Sequence, residues 1–505
     1  MHRPVPDKPL PKLAVILILW AWLALLALTH LGGRSPYAYG WAIVGSPEPP
    51  SRISGAVVNP DALPPYGVAM FFYEAAPVAS WEDAQNLRLP FHAFATSIVA
   101  GITRSYLFAG YFVNFLFAAL VAWAGVSLAD RFAIHRAAAL VALLSAFTLP
   151  MYVEYLGQPM HYVVGPAVSF LIVMSILALP EHDACNPWIA GLATALLLLN
   201  YDPYVFVAAV VAYFLFIGRF RRVRDYVVFL LTAAAPVLVW ILYLRRISGG
   251  MMSQHLRRVF ITPMLEGWIA FAKHPIENAL LPFVASHIGI HVAFRQIVAL
   301  IHWPLLVVCI ALLIRLRPRL APLRMWIIAL LPLAFVIEQM VTAAWDWELN
   351  PRRAIPVALA FAVSYVYVVN AMWPRRGWRI AFIALFAFCG FLAVADTLTG
   401  SPVLAYLHMG QGVREAPQQA IVYKDQRLNK KETMPMLHAD EALIRRDLGR
   451  ARIHREQLGI FAFTQVFNAA LLIALFWLTA RARLLPRWTP AVVAALWLLS
   501  FARFL

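Results

Sequence analysis

Long apolar runs separated by short basic or proline-rich breaks constrain this chain more than any other feature. Between Leu13 and Leu31 there is no carboxylate, lysine or arginine, and similar runs recur to the C-terminus. In lipid, a backbone must satisfy its own hydrogen bonds, so such runs read as helices. About 20 residues at a rise of about 1.5 Å each cross a hydrocarbon core. The runs predict spans at 12–31, 105–128, 137–153, 163–180, 188–200, 203–218, 226–244, 297–315, 324–344, 354–373, 378–396, 458–480 and 488–505. That is an all-α polytopic membrane protein of about 13 transmembrane helices. Composition agrees: 62% of the 505 residues are hydrophobic and 13% charged, too apolar for one soluble core.

The net charge of +17 raises the possibility of nucleic acid, which we reject. Much of the excess sits in short breaks between apolar runs, where the positive-inside rule expects it, and anionic membrane lipids answer it. With a cytoplasmic N-terminus, the cytoplasmic breaks hold Arg131 and Arg136, Arg219 to Arg224, Arg315 to Arg324, Arg375 to Arg379, and Arg481 to Arg487. This asymmetry supports counting 188–200 and 203–218 as two crossings. The break 181–187 resists, with Glu181, Asp183 and no cation. Three larger segments then fall outside: 32–104, 245–296 and a basic one at 397–457. The chain divides into a transmembrane module (1–396), the basic outer insert (397–457) and a C-terminal hairpin (458–505). The first span reads as a retained helix that doubles as targeting signal. Cys185, Cys309 and Cys389 form no metal motif, and the last two read as packing residues.

Acid and aromatic residues crowd the first outer segment. It holds Glu48 and Asp61 among Tyr37, Tyr39, Trp41 and Tyr66, a combination that suits a sugar and also suits an interfacial belt. Glu154 and His161 bracket the next outer loop, in reach of base or substrate-contact roles or simply solvated. Asp202 sits in Asn200-Tyr201-Asp202-Pro203, which a tight turn also explains. The sharpest segment is Trp345 to Arg353, with Asp346, Trp347, Glu348, Arg352 and Arg353 at an outer membrane edge. Paired arginines there oppose the positive-inside pattern and suit a lipid phosphate or diphosphate; an internal ion pair is the alternative. His287 and His291 have a spacing that can ligate a divalent metal, but no third ligand accompanies them, and no metal site is assigned. Walker A, dinucleotide, zincin and Gly-x-Ser-x-Gly patterns are missing.

Four stretches carry a resemblance. Leu87-Arg88-Leu89-Pro90-Phe91-His92, followed by Gly101 to Ser105 and Asn114, is one. Gly191-Leu192-Ala193 with Asn200 to Pro203 and Arg219 to Arg224 is the second. Ala235-Pro236 with Tyr243 and Gly249-Gly250 is the third, and Pro351 to Pro356 the fourth. Together they resemble the GT-C superfamily of membrane glycosyltransferases, by pattern the bacterial protein O-mannosyltransferase and aminoarabinose transferase families. The resemblance implies a GT-C-like bundle with juxtamembrane helices in the first outer loop, in a bacterial inner membrane. It implies transfer of a sugar from a polyprenyl-phosphate donor to a lipid, glycan or protein acceptor at the outer face. An acid of the first loop, Glu48 or Asp61, would act as base, and Arg352 with Arg353 would hold the lipid phosphate; Arg88, Glu154, His161, Asp202 and Trp347 would contact substrate. No cofactor is required by this chemistry. The sequence departs from the family in lacking an acid pair directly after helix one, and in carrying Tyr201-Asp202 where a threonine-lysine turn is usual. The competing readings are a transporter or flippase using Glu338, the main acid within a span, and a non-catalytic membrane subunit.

Overall fold

The computed structural model describes residues 10–31, 56–57, 90–103, 106–148, 156, 161–184, 186–200, 220, 222–247, 365–399, 438–439 and 458–501. The predicted spans 203–218, 297–315 and 324–344, and the segment 245–296 beyond residue 247, lie outside these. Among the described residues the chain is helical, apart from one two-residue ladder. The helices are α1 (Lys12–Leu31), α2 (Pro90–Thr103), α3 (Tyr106–Arg131), α4 (Arg136–Phe147), α5 (His161–Ala178), α6 (Glu181–Ala184), α7 (Pro187–Leu198), α8 (Val223–Ile247), α9 (365–372), α10 (Arg376–Thr399), α11 (Leu458–Arg481) and α12 (Thr489–Ser500). Three of them, α3, α8 and α11, are long and apolar enough to cross a membrane.

Where the predicted spans and the described helices coincide, boundaries agree within a few residues, except that α4 ends at Phe147 with Thr148 as its cap, short of the expected 153. Helix α2 is a separate element ahead of α3. At 14 residues it is about 21 Å long.

Side-chain contacts fix the helix directions. Lys12, at the start of α1, donates to Ser127 Oγ (2.9 Å) and pairs with Asp130 (3.6 Å) at the end of α3. Arg136, opening α4, bonds Asp130 (2.6 Å) and the Leu10 carbonyl (2.9 Å). The His135 N–H donates to Asn370 Oδ1 (2.9 Å) at the end of α9, and the His135 ring lies 5.9 Å from that of Trp373, just before α10. Arg481, the last residue of α11, clamps Asp183 between α5 and α7 through two bonds of 2.7 and 3.0 Å. The ends of α3 and α5 share one small cavity lined by Gly125, Leu128, Phe170 and Met174, which joins the two groups of termini. One end of the bundle thus gathers the starts of α1, α4, α7, α10 and α12 and the ends of α3, α5, α9 and α11. It carries the arginines of the short breaks, and we call it the basic end. The break 181–187 has no cation of its own because α11 supplies Arg481.

The opposite end is fixed independently. Asn200, just past α7, is buried and donates to the Gly165 carbonyl and to Ser169 Oγ (2.8 Å) near the start of α5. Tyr243, near the end of α8, shares a hydroxyl hydrogen bond with Thr464, near the start of α11. Helices α7 and α8 therefore run parallel. They touch where Gly191 leaves no room for a side chain: a Cβ there would lie 2.6 Å from Thr232 Cβ and 2.8 Å from the Phe229 carbonyl oxygen. Small residues that let helix backbones approach are the usual packing device in lipid, where apolar burial alone drives no association. The chain leaves α7 at one end of the bundle and enters α8 at the other, and the expected crossing at 203–218 between them lies outside the described residues.

Three long stretches leave helices at the end opposite the basic one: after Leu31, after Ile247 and after Thr399. Two of them meet. Strand β1 (Ala56–Val57) pairs antiparallel with β2 (His438–Ala439), in the register Ala56 to Ala439 and Val57 to His438. The first long segment and the 397–457 insert therefore touch.

The core is continuous through α1, α3, α4, α5 and α11. Trp20 donates from Nε1 to the Ala119 carbonyl (3.0 Å) and lies 5.6 Å from the Trp123 ring, which fastens α1 to α3. Trp22 sits against Gly390 and Phe386 of α10. Helix α8 is at the rim, with Val227, Leu230, Leu231, Leu238 and Leu242 exposed along it.

Candidate functional site

Of the residues with a predicted substrate role, Glu48, Asp61, Arg88, Glu154, Asp202, Trp347, Arg352 and Arg353 lie outside the described residues. His161 is the first residue of α5, and its side chain also lies outside them. What is described is the frame around them. β1 falls in sequence between Glu48 and Asp61, so the ladder ties the stretch that carries both acids to the basic insert. Arg88 stands two residues ahead of Pro90, where α2 begins.

Helix α2 is buried almost throughout. Phe91, His92, Ala93, Phe94, Ala95, Thr96, Ser97 and Ile98 are all inside, and α2 packs on α3, α5, α11 and α12. Leucine-like residues would be expected at such positions. Instead His92 is 3% exposed and, among the described residues, neither of its ring nitrogens has a hydrogen-bond partner. Thr96, one turn on, is 1% exposed, with Oγ1 also unpartnered among the described residues. Ser97 by contrast is satisfied by the Phe94 carbonyl. Burial pushes the His92 imidazole down to about 3, so it is neutral near pH 7. A neutral imidazole offers one donor and one acceptor, and burying both unpaired costs about 1–3 kcal/mol each. His92 and Thr96 thus stand as open hydrogen-bonding positions on the helix that leads in from the acid-rich segment. In the sequence His92 stands only within a motif; its signal is a polar residue at i and i+4, His92 and Thr96, in a largely apolar helix.

Some other interior polar groups are hydrogen-bonded, while Trp22 Nε1, Trp240 Nε1 and Asn468 Oδ1 are, like His92, buried without a partner among the described residues. Asn468 donates to the Thr464 carbonyl (2.9 Å), and the Trp497 indole donates to Gln465 Oε1 (3.1 Å), joining α12 to α11. Asn200, weighed above as part of a turn, is an interhelical tie. The cavity between α3, α5 and α9 is about 20 Å³, room for about one water, and its walls are apolar. A sugar does not fit there. Among the described residues no three His, Cys, Asp or Glu side chains converge on a metal position; His287 and His291 lie outside them. Cys389 is buried, as a packing residue should be. Comparison with protein-family models, with curated proteins and with solved structures finds no match to this chain.

Proposed function

We propose that the chain is a GT-C-like glycosyltransferase of a bacterial inner membrane. It moves a sugar from a polyprenyl-phosphate-linked donor to a lipid, glycan or protein acceptor at the face opposite the basic end. The observation that supports this reading most is the pairing of β1 with β2. It joins the acid-rich first segment to a basic insert, away from the short arginine-rich turns. It sets the stretch with the candidate acids, one of which would activate an acceptor hydroxyl, beside a second long segment, while the cations that would take up the departing lipid phosphate come from a third stretch. In this reading Asp61 or Glu48 takes the acceptor proton, and Arg352 and Arg353 hold the phosphate as the bond to the sugar breaks. The donor supplies its own leaving group, so no nucleotide is consumed. In the same reading Arg88, Glu154, His161, Asp202 and Trp347 contact the substrate.

Purified full-length chain in a lipid nanodisc, given a panel of polyprenyl-phosphate sugars and a mixed membrane acceptor extract, should release polyprenyl phosphate. Arg352→Ala and Asp61→Asn should lower that release by about 100-fold or more, the usual scale for losing a charge-stabilising group or a general base. Release unaffected by either change overturns the residue assignment. Saturable uptake of an unaltered donor across sealed vesicles, without release, favours the flippase reading.

A further inference from the structure

Cations at the basic end fall into two sets. Lys12, Arg136 and Arg481 are committed to Asp130 and Asp183. Arg375 and Arg376 are not: both are exposed, and neither guanidinium forms an ion pair with a described residue. Their backbone is nonetheless fixed. The Arg375 N–H donates to the Met372 carbonyl (3.0 Å), its carbonyl accepts from the Arg379 N–H (3.1 Å), and the same turn rests on His135 through Trp373.

The surroundings of this pair favour an anion. Helix α10 opens at Arg376 with no acidic residue in its first turn, so its unbonded N–H groups and positive end add to the two side chains. Gly377 leaves the space beside them open, since a Cβ there would meet nothing within 4 Å. The outward face then turns apolar. Ile380, Ile383 and Phe391 are 56%, 45% and 69% exposed, and with Arg376 they keep one helical stripe. Trp378, 42% exposed and 6.0 Å from the Phe382 ring, stands at the boundary, where tryptophans anchor to headgroups.

We propose that the start of α10 binds an anionic phospholipid. Its phosphate sits on Arg375 and Arg376, and an acyl chain lies along Ile380, Ile383 and Phe391. Two guanidinium forks match a phosphate in shape and charge, whereas a zwitterionic lipid brings a cation that they repel. A free phosphate would leave the apolar stripe unused. The site is separate from any sugar transfer and stands or falls without it.

Native mass spectrometry of the purified full chain in neutral detergent tests the site. Phosphatidylglycerol and phosphatidylcholine of identical chains are titrated in turn. The first phosphatidylglycerol should bind roughly tenfold tighter than phosphatidylcholine, in keeping with two arginines near a headgroup. Arg375→Gln with Arg376→Gln should remove that preference, while Arg483→Gln with Arg487→Gln, on another exposed turn of the same end, should keep it. Gly377→Glu, which sets a carboxylate beside the pair, should remove it too and guards against a misfolded double variant. Equal loss in both arginine pairs, equal binding of the two lipids, or displacement of the lipid by millimolar inorganic phosphate overturns the proposal.

Discussion

Ala133 and Arg483 are the two non-glycine residues with left-handed backbone among the described ones, at φ 53° and 57°. Each closes a helix at the basic end in the same way. Ala133 N–H reaches the Asp130 carbonyl and Ile134 N–H the Ala129 carbonyl; Arg483 and Leu484 repeat the pattern on Ala480 and Thr479. This double bond pattern usually ends in glycine, because a Cβ in that conformation costs about 1–2 kcal/mol. Ala133→Gly should therefore raise stability by up to about 1 kcal/mol, once glycine's extra chain entropy is set against the relief. Thermal unfolding in detergent reads it, and a lower midpoint contradicts the strain. Asp183 offers a second test. Its side chain is 8% exposed and depends on Arg481, itself 42% exposed and 5.4 Å above the Trp477 ring. Arg481→Met should destabilise by about 1–3 kcal/mol, since it strands a buried carboxylate, and Asp183→Asn beside it should recover part of that. His92 gives a pH signature. Its folded-state value lies below the ordinary 6.5, so below that pH the unfolded chain takes up a proton the folded chain refuses. Stability should fall as pH drops from about 6.5 toward 3, by at most about 2 kcal/mol between pH 7 and 5. His92→Phe should flatten that fall, and an unchanged slope removes His92 as its source.

At the scale of elements, the contact between α7 and α8 tests the parallel pair. Gly191→Leu has no space against Thr232 and Phe229 and should separate the helices, costing about 2–4 kcal/mol or preventing assembly. Gly191→Ala should cost less, and a neutral leucine would contradict the close approach. Spans such as α3, α8 and α11 were legible in the sequence because some twenty uncharged apolar residues have one solution in lipid. The direction of α8 was legible too, through the arginines around residue 222. What could not be read was pairing between distant positions. Asp183 seemed a lone acid until α11 brought Arg481 to it, and Asn200 read as a turn residue until α5 supplied its partners. His92 escaped notice because a histidine in an apolar helix carries no sign of whether a neighbour satisfies it. The acids of the first segment and Arg352 rest on residue type and resemblance, since they lie outside the described residues.

For the whole molecule, the account rests on two unlike ends. Short basic turns held by Asp130 and Asp183 gather at one end, and the chain leaves for its long segments at the other. A transferase that works on a lipid-linked donor needs all its long segments on one face, and a transporter needs a path through both. Sidedness is the most direct measurement. A cysteine-free background with Arg483→Cys, Asp61→Cys or His438→Cys, in sealed vesicles of known orientation, is treated with a membrane-impermeant maleimide. Asp61→Cys and His438→Cys should label from one face together, and Arg483→Cys from the other. Labelling of Asp61→Cys and Arg483→Cys from the same face would contradict the arrangement, and with it the placing of the reaction opposite the basic end.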